Sequence, residues 1–140
     1  SGANGVLIAS QVAAGEENAL KIKIYGEKGG MEWHQMEPNT LIVKWTNEPA
    51  QIYRTGNGYM GSFAKHNTRT PGGHPEGYLE AFANIYKNFA LTVDAKLNKQ
   101  KPTAEMLDFP NAEDGMRGMA FIENAVNSSN SDQKWWDYKI

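Results

Sequence analysis

The side chains best suited to ligand chemistry are concentrated in residues 56–76. His74 follows Gly72 and Gly73 and directly precedes Pro75, at the expected start of a helix. A helix N-terminus disfavours an imidazolium ion, so it favours a neutral ring that can both donate and accept hydrogen bonds with sugar hydroxyls. The alternative is a histidine that caps the helix or packs the loop, and the residues alone favour that alternative.

The three histidines do not have the spacing of metal ligands. His66 lies eight residues before His74, and His34 falls in an expected strand. Cysteine is absent from the sequence, which excludes thiolate zinc sites, disulfides and cysteine nucleophiles. No Ser-His-Asp arrangement or carboxylate pair can be built from the spacing. We therefore predict no metal ligand and no catalytic residue in this chain.

A glycine-rich run at residues 56–61, GNGYMG, has the spacing of a dinucleotide fingerprint. That fingerprint requires a helix that begins at once, inside a parallel βαβ unit. Residues 62–73 show no helical periodicity and are predicted to form a loop. The strands before them are predicted to be antiparallel. The run is therefore interpreted as a flexible glycine loop, and no cofactor-binding residue is predicted.

The elements that position this loop are predicted first as strands. Alternating apolar and polar residues, separated by turn residues, are typical of strands with one buried face. Five strands are expected, over residues 5–13, 20–25, 31–36, 41–46 and 50–54. The short connections leave no room for crossover helices, so the sheet is expected to be an antiparallel meander.

Two long helices are expected after the loop. Apolar residues recur at steps of three and four from about Pro75 to Leu97, and Glu76 would complement the positive end of that helix. Asn111 is expected to cap a second helix, and residues 134–140 are expected to form a last strand. The fold class is thus α+β, with a predominantly meander antiparallel sheet and two main helices packed on one face.

Composition narrows the function only by exclusion. The 140 residues carry a net charge of −2, and 40% of them are hydrophobic. This charge does not suit a nucleic-acid-binding protein, and no apolar run reaches the roughly 20 residues of a membrane helix. Ser1 stands in place of Met, and no signal-type segment follows it. We expect a single domain over residues 1–140, cut from a longer cytoplasmic protein.

Several segments resemble one enzyme family over nearly the whole chain. They are residues 10–18 (SQVAAGEEN), 24–33 (IYGEKGGMEW), 72–86 (GGHPEGYLEAFANIY) and 108–119 (DFPNAEDGMRGM). In sequence and order they are similar to the second domain of the Gfo/Idh/MocA oxidoreductases.

The resemblance implies a C-terminal substrate and oligomerisation domain whose N-terminal Rossmann domain is absent. It implies an NAD- or NADP-dependent oxidoreductase that acts on a sugar or cyclitol hydroxyl, and a homo-oligomer formed through the open sheet. The family's catalytic lysine motif has no counterpart here, so the fragment alone is expected to be inactive and to hold no cofactor. His74, Arg69 and Tyr59 are the expected substrate contacts. A non-catalytic carbohydrate-binding or assembly module on the same scaffold is the alternative.

Overall fold

A computed structural model describes residues 2–133 and 135–140 and divides them into two compact units. The sheet unit contains the residues up to Met60 together with Thr68–Gly77. The helix unit contains Gly61–Asn67 and Tyr78–Ile140.

The sheet unit is built on an antiparallel meander in the order β1-β2-β3-β4. Its strands are β1 (Lys21–Tyr25), β2 (Gly29–His34), β3 (Thr40–Trp45) and β4 (Gln51–Arg54). Four of the five expected strands are confirmed, and so are the antiparallel pairing and the α+β class. The glycines at the β1-β2 turn are required by close packing, because a Cβ on Gly29 would lie 2.4 Å from the carbonyl oxygen of Lys44.

The two faces of this sheet differ in polarity. Ile22 opposes Trp33 and Ile24 opposes Met31, so one face is apolar across β1 and β2. On the other face Glu32 lies 3.0 Å from the Nζ of Lys44 and 3.8 Å from that of Lys23. The hydrogen bond from Lys44, with the positive charges of both lysines, lowers the pKa of Glu32.

The first expected strand is wrong. Residues 5–13 are exposed and belong to no strand of the described sheet. Their pattern suits a strand, but a strand also requires a neighbour that satisfies its backbone N–H and C=O groups.

The helix unit contains α1 (Ser62–Asn67), α2 (Tyr78–Leu97) and α3 (Ala112–Ser129). The two main helices are confirmed, with corrected boundaries. Helix α2 begins at Tyr78 rather than Pro75, and α1 occupies part of the segment expected to be loop. Residues 135–140 form no strand, and Lys134 lies outside the described residues.

The cap of α3 agrees with the sequence analysis. The side chain of Asn111 accepts hydrogen bonds from the backbone N–H groups of Glu113 and Asp114 at 2.8 and 3.1 Å. The carboxylate of Asp114 accepts in return from the backbone N–H of Asn111, which completes a capping box.

Two polar side chains on α2, Asn88 and Thr92, hold the helix unit together through hydrogen bonds, and we call this pair the α2 ladder. Asn88 is 1% exposed, and its amide nitrogen donates to Asn67 Oδ1 and to the backbone oxygen of Asp108. One turn later, the hydroxyl of Thr92 donates to the backbone oxygen of Met106 at 2.8 Å. These bonds attach α1 and the loop before α3 to α2, because buried amides are stable only when they are paired.

Candidate functional site

The loop Thr68–Gly77 of the sheet unit is held by the carboxylate of Glu76. That carboxylate accepts hydrogen bonds from the backbone N–H groups of Arg69 at 2.5 Å and Thr70 at 2.7 Å. The hydroxyl of Thr70 lies 3.0 Å from the same oxygen and 2.7 Å from the backbone oxygen of His74. One side chain thus closes the loop over seven residues and fixes the path of the backbone around its tip.

Electrostatics favour the ionised form of Glu76. Burial by itself raises the pKa of this carboxyl, but the hydrogen bonds from Thr70 and Arg69 and the Arg69 charge outweigh it. The pKa therefore lies below the ordinary value of 4.5. The expectation that Glu76 complements a helix dipole was wrong, since it precedes α2 and binds the N–H groups of its own loop.

Asn39 anchors this loop to the sheet. Its side-chain nitrogen donates to the backbone oxygen of Glu76 at 2.7 Å, and its side-chain oxygen accepts from the Glu76 N–H at 3.1 Å. The same oxygen accepts from the hydroxyl of Thr55 at 2.8 Å. In the sequence Asn39 falls in the connection between two expected strands, and no role is predicted for it. Its pairing with a residue 37 positions later leaves no local sequence signal.

The glycine run meets the same loop through its first glycine. Gly56 has a φ of +79°, and a Cβ placed there would lie 2.4 Å from the backbone nitrogen of Gly72. That nitrogen donates to the carbonyl oxygen of Gly56 at 3.1 Å. The first glycine of the run is thus required by a close approach of the protein's own backbone.

His74 lies at the exposed tip of this loop. Its Nδ1 is 3.4 Å from the carbonyl oxygen of Gly72. Because a carbonyl oxygen can only accept, this weak contact places a proton on Nδ1. When the ring is neutral, its lone pair is then on Nε2, where it can accept a hydrogen bond from a hydroxyl group.

The other two expected contacts also lie in the sheet unit. The Arg69 guanidinium is 3.4 Å from a Glu76 carboxylate oxygen, so it is partly engaged within the loop. The Tyr59 hydroxyl accepts from the backbone N–H of Arg54 at 2.9 Å, and its ring meets Tyr53 edge to face. A tyrosine hydroxyl that accepts this bond keeps its own proton for donation.

A second cluster of polar residues lies in the helix unit. The Nε2 of His66 lies 2.8 Å from Asn88 Oδ1. The amide nitrogen of Asn88 already donates to two acceptors, so its oxygen must accept and His66 must carry its proton on Nε2. Lys87 donates to the backbone oxygen of His66 at 2.6 Å. These side chains are occupied with one another, which indicates a structural role.

Residues 2–133 and 135–140 contain neither a metal-binding cluster nor a membrane-spanning helix. In that part of the chain, no three side chains among histidine, aspartate and glutamate come together as a metal ion would require. The helices described there are too short or too polar to cross a bilayer.

Comparison with known proteins identifies the family. Residues 2–137 match the family model for the C-terminal alpha/beta domain of the Gfo/Idh/MocA oxidoreductases. The chain belongs to this family. It is also 34% identical over 139 residues to the uncharacterized oxidoreductase YfiI of Bacillus subtilis. The match covers 99% of this chain and 35% of YfiI.

Solved structures give the same result. An oxidoreductase from Sinorhizobium meliloti is 41% identical with a TM-score of 0.81, over 91% of this chain and 34% of that one. An inositol dehydrogenase homolog from Azotobacter vinelandii, in complex with NADH and myo-inositol, is 30% identical with a TM-score of 0.80. That match covers 93% of this chain and 34% of the other. The chain thus spans about a third of the length of these relatives.

Proposed function

We propose that residues 1–140 are the C-terminal domain of an NAD- or NADP-dependent oxidoreductase that oxidises a hydroxyl of a sugar or cyclitol. The observation that carries this proposal is the similarity to the Azotobacter vinelandii protein, whose structure contains NADH and myo-inositol. Nicotinamide cofactors are drawn from the intracellular pool, so we place the complete enzyme in the cytoplasm.

The cofactor belongs, in this proposal, to the part of the enzyme outside these residues. The first glycine of the run serves the fold, because Gly56 packs against the backbone of Gly72. The strand before that run is also part of an antiparallel meander rather than a βαβ unit. We therefore assign no step of the reaction to a cofactor held by this chain.

The role of this chain is to form part of the substrate-pocket wall. The loop Thr68–Gly77 supports that role, because Glu76 and Asn39 fix its backbone while His74 stays exposed at its tip. In this proposal His74 accepts a hydrogen bond from a substrate hydroxyl through Nε2, while Arg69 and Tyr59 donate to neighbouring oxygens. A fixed loop lowers the entropy lost when a polyol binds.

We also propose that the complete enzyme is a homo-oligomer assembled through the apolar face of the sheet. Side chains on that face stay about half exposed in this chain, among them Ile22, Ile24, Met31 and Trp45. A second copy would remove this surface from water. Light scattering should then show a dimer or larger species that Ile24→Lys weakens, and a monomer at all concentrations would contradict the assignment.

The function is tested by turnover. The complete enzyme should reduce NAD or NADP when it is supplied with myo-inositol or another member of a polyol panel, whereas a binding module would bind the polyol without turnover. Calorimetry on the 140-residue chain should detect no binding of NAD or NADP. Micromolar affinity of this chain for either nucleotide would contradict our interpretation of the glycine run.

A further inference from the structure

A hollow lies on the polar face of the sheet, next to the turn between β1 and β2. Its volume is about 370 Å³, and Gly30 of the inner strand β2 lies in its floor. Gly30 opposes Tyr25 of β1 on one side and Lys44 of β3 on the other. Because the middle residue of this row has no side chain, its two neighbours border an open space. The volume is within the range of small-molecule sites, roughly 300–1,000 Å³.

Tyr25 forms one wall of this hollow. A Cβ on Gly30 would lie 3.1 Å from the Cδ1 of Tyr25, so the ring packs closely against the Gly30 backbone. Tyr25 is nevertheless 80% exposed. The side of the ring that does not touch Gly30 therefore offers a flat surface on which the ring of a ligand can stack.

Two ammonium groups and one carboxylate give the hollow its charge. Glu32 lies 3.0 Å from the Nζ of Lys44 and is only 19% exposed. The Nζ of Lys23 is 3.8 Å from the same carboxylate oxygen, which is too far for a hydrogen bond. No other residue of the described chain supplies Lys23 with an acceptor. The net charge of the hollow is therefore that of one cation, and its donors remain available to an anion.

We propose that this hollow, formed by Lys23, Tyr25, Gly30, Glu32 and Lys44 and called here the Gly30 site, binds a small cyclic organic acid. The carboxylate of the acid pairs with the two ammonium groups, and its ring stacks on Tyr25. An aromatic acid and a sugar acid both have this chemistry. The inference goes beyond the proposed function and does not depend on it, since the site lies on the sheet face opposite the apolar one.

An NMR titration of the 140-residue chain tests the site, with the backbone amides of Gly30 and Lys44 as reporters. The probes are benzoate and glucuronate, each compared with its uncharged counterpart, benzyl alcohol and glucose. At least one acid should shift both amides in a saturable manner with a Kd of about 1 mM. Its uncharged counterpart should bind at least about 5-fold more weakly, because the ion pairs are lost. The acid that binds more tightly identifies the source of the ligand.

Four variants locate the binding. Lys23→Gln and Tyr25→Ala should each weaken binding of the acid about 5-fold, since each removes one of its contacts. Lys21→Gln, on the same strand and face but outside the hollow, is the matched control and should leave the Kd unchanged. Glu32→Gln should tighten binding about 3-fold, because it removes the carboxylate that competes for both ammonium groups. A sheet damaged by this substitution would bind more weakly, so the direction of the change separates the two effects.

Four results would overturn the inference. They are the absence of a saturable shift with either acid up to about 10 mM, equal affinity for the uncharged counterpart, equal weakening by Lys21→Gln and Lys23→Gln, and a Glu32→Gln variant that binds no more tightly. The titration requires neither a nicotinamide cofactor nor turnover. Failure of the Gly30 site would therefore leave the proposed reaction unaffected, and absence of turnover would leave the Gly30 site unaffected.

Discussion

Glu76 offers the sharpest test of how the loop Thr68–Gly77 is held. Its side chain is only 11% exposed, and its carboxylate accepts from the N–H groups of Arg69 and Thr70. Glu76→Gln keeps the size of the side chain and one acceptor oxygen but removes the charge. Glu76→Ala removes every acceptor and leaves both N–H groups without a protein partner.

The magnitude follows from the number and kind of these bonds. A hydrogen bond to a charged group contributes about 1.5–3 kcal/mol, and water partly replaces the bonds that are lost. We expect Glu76→Gln to lower the free energy of unfolding by about 1–2 kcal/mol and Glu76→Ala by about 3 kcal/mol. Both variants should also speed amide exchange at Arg69 and Thr70.

The pH dependence has a definite sign. Burial raises the pKa of Glu76, but the hydrogen bonds from Thr70 and Arg69 lower it by more than burial raises it. The pKa in the folded chain is therefore below 4.5. Its stabilisation is therefore present above the unfolded pKa and is lost as the pH falls through the folded pKa. Below that range Glu76→Gln and the parent chain should have nearly the same stability.

Urea unfolding at neutral pH and at progressively lower pH measures this difference. Glu17→Gln, at an exposed position of the same unit, is the matched control and should change the free energy of unfolding by less than about 0.5 kcal/mol. If Glu76→Gln were no more destabilising than Glu17→Gln at neutral pH, the assignment of Glu76 as the closure of the loop would be refuted.

Three further predictions concern stability and use the same unfolding assay. Asn88→Ala should lower the free energy of unfolding by about 2–4 kcal/mol, because it leaves several buried partners unpaired. A decrease of less than about 1 kcal/mol would show that the α2 ladder does not stabilise the fold. Gly56→Ala should cost about 2 kcal/mol or more, since its φ is positive and its Cβ would meet Gly72 backbone. The matched Gly58→Ala, with open space around it, should be nearly neutral, and equal effects would contradict the close approach. Asn111→Ala should lower the free energy of unfolding by about 1 kcal/mol, because α3 loses its N-cap. An unchanged urea midpoint would count against the capping box.

The regular elements were predictable because their signals are local. Alternation over Leu20 to Arg54 and the steps of three and four after Tyr78 identify the four strands and α2. Helix α1 was missed because six residues, Ser62–Asn67, are too few to show a helical period. The segment at residues 5–13 was predicted as a strand from its pattern, but a pattern cannot supply the neighbouring strand that pairing requires.

The candidate site was predictable only in part. His74 was proposed from two local features, its neighbouring glycines and a helix expected to start at Pro75; α2 begins only at Tyr78, and the substrate contact of His74 stays a prediction. Asn39 was missed because its partner Glu76 is 37 residues away, and the two meet only once β3 and β4 have paired. The same distance explains the error on Glu76, whose local position suggested a helix dipole rather than a loop closure.

The most direct test of the central claim is the kcat/KM of His74→Ala in the complete enzyme, measured with its polyol and nicotinamide substrates. Loss of a hydrogen bond to a substrate hydroxyl should lower kcat/KM about 10-fold or more, with His74→Gln partly restoring it and Glu17→Ala serving as a control with unchanged activity. An unchanged kcat/KM in His74→Ala, with turnover intact, would show that this loop does not contact the substrate.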